Sequence, residues 1–248
     1  MIHYHGTPLT PIDQLFKMSG KHFCVSFARP DDAERCLQIA QSIMWDNGAF
    51  TSYTKGLSFD FTSYCDWLED RLGHPHWCVI PDVIGGSVEE QKKLIKKFPY
   101  PSELSAPVWH LNLSLDYLLY LTDNFPKVCF GSSGDYWEVG SEKWCSRIDE
   151  TFNLLSQKNK IIPYIHMLRG LSLGGSIYPF ASADSTNVAR NFKDKGKCPE
   201  LMARKIDGMQ NPIKWKFKPT QKDFFKGVND GSLPNVQISM ATYKYGVS

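Results

Sequence analysis

Carboxylates and histidines in this sequence stand where apolar runs stop. Asp46 closes the run that begins at Ser42 and opens Asp46-Asn47-Gly48-Ala49-Phe50, Asp82 follows Trp77-Cys78-Val79-Ile80-Pro81, and His110 follows Pro107-Val108-Trp109. Gly131 and Ser132 end the run from Lys127, His166 and Met167 close the one from Ile161, and Asp184 ends the one from Tyr178. Alone, each has a plain structural reading. Asp46-Asn47-Gly48 fits a turn, Asp82 a loop acid, His110 and His166 satisfied histidines near a core, and Asp184, set among Ser, Thr and Asn, a helix cap. The same arrangement at so many strand ends points instead to one shared mouth. Two carboxylates at one mouth suit chemistry at an anomeric carbon, where one is the nucleophile and the other handles protons. A third acid and the amides of Gly131-Ser132-Ser133-Gly134 suit a flat ligand with a hydrogen-bonding edge, such as a purine. No Walker motif, strand-linked GxGxxG or HExxH occurs.

Such residues meet only if the strands that carry them run parallel and end together. Strand-like runs cover Met1 to His5, His22 to Ala28, Ser42 to Phe50, Trp77 to Val83, Pro107 to Asn112, Lys127 to Gly134 and Ile161 to Arg169, with an eighth opening at Tyr178. Helical spacing fills most gaps: Pro11 to Met18, Asp31 to Gln41, Phe59 to Leu72, Val88 to Phe98 capped by Ser87, Leu115 to Phe125 and Ser141 to Lys158. A short helix carrying Arg190 follows Asp184. This alternation predicts an α/β fold, a (β/α)8 TIM-like barrel, with an open doubly wound sheet as the rival. Between Met167 and Ile177 there is little room for a crossover helix, so the seventh unit is expected to be irregular.

The 248 residues suffice for a single domain, read as a barrel core over 1–192 with a basic C-terminal extension over 193–248 packed on it. From Arg190 to Lys226 stand eleven basic against four acidic residues, +7, which leaves −5 for the rest of a chain whose net charge is +2. That is either a solvated surface or the footprint of a polyanion. Within it, Lys214-Trp215-Lys216-Phe217-Lys218 alternates cation and ring: an edge strand with its rings turned inward, or a surface that stacks bases. Seven cysteines without CxxC spacing read as reduced thiols, and no apolar run approaches about 18 residues. A soluble cytoplasmic protein is expected, with no membrane partner, cofactor or metal.

Trp45-Asp46-Asn47-Gly48-Ala49-Phe50 resembles the Asp-Ser-Gly-Gly-Phe motif of the tRNA-guanine transglycosylases, and Phe180 to Arg190 resembles the segment that carries that family's nucleophilic aspartate. The similarity spans Met1 to Asn191 and is greatest to the DpdA branch, phage and bacterial enzymes that exchange guanine in DNA for a 7-deazaguanine. The resemblance implies Asp184 as nucleophile and Asp46 as acid/base. It implies that Asp82 reads the Watson–Crick edge of the base, that Asn47 and His110 contact it, that Gly131 and Ser132 offer backbone groups, and that His166 and Met167 pack on its face. DNA, or RNA, and a free 7-deazaguanine would be the partners. The family's Cys-rich zinc site is missing, since Cys198 stands alone, and Arg190, Lys193, Lys195, Lys214, Lys216 and Lys218 are the expected substitute for docking nucleic acid. Other readings are a tRNA-directed transglycosylase, a nucleoside- or NAD-processing glycosyl hydrolase or ADP-ribosyltransferase-like enzyme, suggested by Tyr4-His5-Gly6-Thr7, and a nucleic-acid-binding module without chemistry.

Overall fold

The computed structural model describes residues 1–158, 161–170, 177–193, 197–210 and 214–219. Nine strand segments make one parallel sheet: β1 (Ile2–Gly6), β2 (His22–Ser26), β3 (Ser42–Asp46), β4 (Trp77–Val79), β5 (Ser105–Ala106), β6 (Val108–His110), β7 (Lys127–Gly131), β8 (Tyr164–Met167) and β9 (Ser182–Ser185). Their order is β5-β4-β3-β2-β1-β9-β8-β7-β6. The two ends of that order are neighbours in sequence, separated by Pro107. Proline has no N–H for a ladder and bends a strand where it sits. Upstream of it, the Ala106 carbonyl accepts from the Ile80 N–H at 2.9 Å; the Pro107 carbonyl itself accepts from the Cys129 N–H at 2.9 Å. β5 and β6 are thus one strand, kinked at Pro107, that pairs with β4 on one side and β7 on the other. Counted this way the sheet has eight strands and closes as the TIM-like barrel.

The lumen is filled rather than hollow, as expected of a barrel this size. Tyr4, Cys24, Met44, Trp77, Val79, Ala106, Val108 and Cys129 pack inside it. Toward the N-terminal end, the Tyr4 hydroxyl accepts from Trp77 Nε1 at 2.8 Å and from the Ser42 hydroxyl at 3.3 Å. Above this plug the inward positions turn polar, and those residues form the mouth.

Helices cover the outside: α1 (Ile12–Phe16), α2 (Ala33–Ile39), α3 (Ala49–Thr54), α4 (Phe61–Glu69), α5 (Val88–Lys97), α6 (Leu115–Asn124), α7 (Glu142–Lys158), α8 (Asn187–Asn191) and α9 (Pro199–Asp207). Ser87 starts α5 as expected, through a reciprocal capping box with Glu90. Two expectations are corrected here. The strand from Ser42 stops at Asp46 instead of running to Phe50, because Gly48 takes a left-handed turn (φ 74°) and α3 begins at once. The Lys214–Lys218 stretch is not a strand, although its Trp215 does pack inward.

The seventh unit is irregular. Among the described residues between β8 and β9 there is no helix. Tyr178 and Phe180, both buried, fill the place a helix would cover, against Trp144 and Phe152 of α7. Trp215 then stacks on Tyr178 with centroids 5.8 Å apart, and Lys218 pairs with Asp149 of α7 at 3.0 Å. α9 closes the other flank: Asp207 accepts from His5 Nε2 at 2.9 Å and pairs with Lys21, while Ala203 and Ile206 enter the core between helices and strands. Lys195 and the stretch from about Asn235 lie outside the described residues.

Candidate active site

Asp46 ends β3 and its loop is built around it. Its Oδ2 accepts from the Gly48 N–H at 3.2 Å, and the Ser26 hydroxyl at the end of β2 bonds to it as well. A side chain at Gly48 would sit 2.9 Å from the Ala28 backbone nitrogen, so both the turn and the neighbouring chain require glycine there. Asn47 is 3% exposed and its amide is spent inside the protein: Nδ2 donates to the Ile80 carbonyl and to Asp82 Oδ1, both at 2.9 Å, and Oδ1 accepts from the Ala49 N–H. It is a strut between the ends of β3 and β4, which corrects its assignment as a base contact. Tyr64 of α4 reinforces the same seam by donating to the Trp45 and Val79 carbonyls.

Asp82 is held from the other side. The buried Gln91 side chain pairs reciprocally with the Val83 backbone, at 3.1 Å to its N–H and 2.6 Å to its carbonyl, and fixes the loop in which Asp82 lies. Asp82 Oδ2 accepts from His110 Nε2 at 2.8 Å. That leaves His110 Nδ1 as the acceptor nitrogen. Nδ1 is buried with no partner among the described residues, and it lies 3.0 Å from where a Cβ on Gly131 would be. An unpaired buried acceptor facing a missing side chain is what a ligand N–H would need.

Asp184, from β9, is braced differently. Its Oδ1 accepts from His166 Nε2 at 3.2 Å and from the Arg169 N–H at 2.9 Å. His166 is fully buried beneath it and its Nδ1 meets the Ser182 hydroxyl at 2.8 Å. With Asp184 as the acceptor, Nε2 carries the proton and Nδ1 accepts from Ser182. The helix-cap reading of Asp184 is excluded: α8 begins after Thr186, and the hydroxyl that bonds its leading Asn187 N–H belongs to Ser185.

Burial raises the Asp46 carboxyl from 3.8 to about 6, with Asp184 and Asp82 pushing the same way and the Ser26 and Gly48 hydrogen bonds pulling back. The floor is apolar enough to push the Cys24 and Cys129 thiols well up, mainly by burial and then by the Asp184 charge above them. Asp46, Asp82, His110, Gly131, His166 and Asp184 thus converge on one mouth.

Other expected residues do not. Met167 follows His166 on β8 and points the opposite way, fully buried against the helix layer, so it cannot pack on a ligand at the mouth. The Ser132 hydroxyl turns away to accept from Trp144 Nε1 at 3.0 Å, while its backbone, the part expected to meet a base, follows Gly131 at the end of β7. His5 of the His-Gly-Thr motif faces α9 and bonds Asp207, away from the mouth. Arg190 and Lys193 are exposed beyond α8's start, and Lys214 and Lys216 are exposed outside the barrel. Ser26 and Arg169 are site residues the sequence reading passed over, although both stand at ends of apolar runs. Among the described residues no group of three or more His, Cys, Asp or Glu is arranged to hold a metal ion, and no helix is long and apolar enough to cross a membrane. All seven cysteines are unpaired. Comparison with family models, curated proteins and solved structures returned no match to the chain.

Proposed function

We propose that the protein is a base-exchange glycosyltransferase that replaces guanine in DNA with a free 7-deazaguanine through a covalent glycosyl intermediate on Asp184. The observation that carries this reading is the pairing at one mouth of Asp46, half-buried and raised to about 6, with Asp184, braced through Oδ1 by His166 and the Arg169 N–H. A carboxyl raised toward neutral pH suits proton transfer, and a braced carboxylate with one oxygen left over suits attack. Among the described residues no hydrogen bond engages Asp184 Oδ2, which makes that oxygen the nucleophile.

In the first step Oδ2 attacks C1′ of the target nucleotide as the bond from C1′ to the purine N9 breaks. The guanine takes the electron pair and receives the Asp46 proton. In the second step the incoming base loses its ring N–H proton to Asp46, its nitrogen attacks C1′, and the ester to Asp184 breaks. Asp46 is an acid in one step and a base in the next, which a value of about 6 serves near neutral pH. Configuration at C1′ is retained after two inversions. His110 Nδ1 accepts an N–H of the bound base, and Asp82 acts through His110 by holding its other nitrogen protonated. The nucleotide must leave its stack to reach the mouth, at a cost of about a few kcal/mol.

The test is incubation of the protein with guanine-containing DNA and labelled 7-deazaguanine, with RNA in parallel. The reading expects label in DNA, and none with Asp184→Asn. Guanine release without incorporation would make the protein a hydrolase. Full activity in Asp184→Asn would overturn the mechanism.

A further inference from the structure

The lip of the mouth carries a guanidinium that the two-carboxylate chemistry leaves unused. Arg169 follows β8, and its backbone N–H already braces Asp184. Its φ of 59° is the one left-handed value at a non-glycine position among the described residues. An L-residue there costs about 1–2 kcal/mol, so the surrounding contacts must hold it. Gly170 is buried so tightly against Met167 that a side chain there would overlap it, which holds the backbone next to Arg169 in place.

The Arg169 side chain lies over Phe50, with Cζ 3.4 Å from the ring centroid, a separation at which the guanidinium faces the ring. Phe50 belongs to α3, four residues after Asp46, so the stacked pair joins the loop of the acid/base to the loop of the nucleophile. Arg169 is exposed, and among the described residues no carboxylate pairs with its guanidinium. A guanidinium laid on a ring keeps its N–H edge free in the plane, and that edge matches a phosphate with two parallel hydrogen bonds. The need is also local. A mouth with Asp46, Asp82 and Asp184 repels a phosphodiester unless a cation stands at its rim.

We propose that Arg169 is the phosphate clamp of the site: stacked on Phe50, it grips a phosphate next to the nucleotide whose C1′ faces Asp184. This rests on the base-exchange reading. It adds that recognition at the reacting nucleotide comes from the mouth itself and not only from the basic C-terminal extension.

The test is binding of a guanine-containing single-stranded deoxyoligonucleotide by the full chain and its Arg169→Ala and Arg169→Lys variants over a range of salt. One lost phosphate contact lowers the slope of log K against log salt by about 0.7 on a single strand. Arg169→Ala should show that loss with an affinity about tenfold weaker, and Arg169→Lys should keep the wild-type slope while recovering only part of the affinity. A merely structural role would not move the salt slope. If the wild type binds and Arg169→Ala matches it in slope and affinity, the clamp is overturned and the base-exchange reading stands. If the wild type does not bind, both fall.

Discussion

Replacing Asp46 by Asn should stabilise the protein while abolishing its chemistry. The carboxyl sits at the mouth above an apolar lumen, and burial, then the charges of Asp184 and Asp82, raise it from 3.8 to about 6. An acid raised on folding binds more protons folded than unfolded between those two values, so stability falls as pH rises from about 4 to about 6 and stays lower above that. A shift of about two units corresponds to about 3 kcal/mol at most, and partial exposure of the side chain brings the expected range to about 1–3 kcal/mol. Asparagine keeps the shape, offers Oδ1 to the Gly48 N–H and can donate to the Ser26 oxygen, so it removes the charge without orphaning either partner. In a 248-residue chain this corresponds to a Tm gain of about 3–9 °C. Thermal unfolding of both proteins at pH 7.5 and pH 4 measures it: a gain at pH 7.5 that vanishes at pH 4 is expected. An equal or lower Tm at pH 7.5, or a difference independent of pH, would refute the account of the Asp46 environment.

Other perturbations probe the scaffold around the site. Gly48→Ala forces a side chain into a left-handed turn and against the Ala28 backbone, so a loss of about 2–3 kcal/mol in chemical denaturation is expected, together with loss of activity as Asp46 shifts. Gln91→Ala leaves the Val83 N–H unpaired and its carbonyl with the Gly86 N–H as its remaining donor, and should cost about 1–3 kcal/mol, with weaker base binding because the Asp82 loop loosens. Gly131→Ala places a methyl 3.0 Å from His110 Nδ1 and 3.1 Å from Val108; calorimetry with free 7-deazaguanine should show binding weakened at least tenfold. Under the proposed mechanism, kcat/KM for DNA should decline as pH rises through Asp46's value of about 6, because the first step needs its proton.

The barrel was legible because its strands are short apolar runs that stop at polar residues, which is how a parallel sheet buried on both faces reads. The kink at Pro107 was not, because the apolar run reads as starting at Pro107, which leaves Ser105–Ala106, the half that pairs with β4, outside it. α3 was hidden because Phe, Thr and Tyr at 50–53 carry strand-like preferences, and only the turn at Gly48 decides otherwise. Residue types at the mouth were readable, but their roles were less so. Strand alternation already forbids adjacent residues such as His166 and Met167 from facing one ligand together. Asn47 could be told from a ligand contact only once the Ile80 carbonyl was found across the seam. Arg169 closes its apolar run as the other mouth residues do, but what sets its position comes from Phe50, far away in sequence, and from Asp184.

The central claim, that Asp184 is a nucleophile, is tested most directly by trapping the adduct. The protein is incubated with guanine-containing DNA in the absence of any incoming base, denatured, digested and examined by mass spectrometry. The account predicts release of guanine and a glycosyl ester on the peptide bearing Asp184, absent in Asp184→Asn. Base exchange proceeding with no adduct on that peptide, or an adduct on the peptide bearing Asp46, would contradict it.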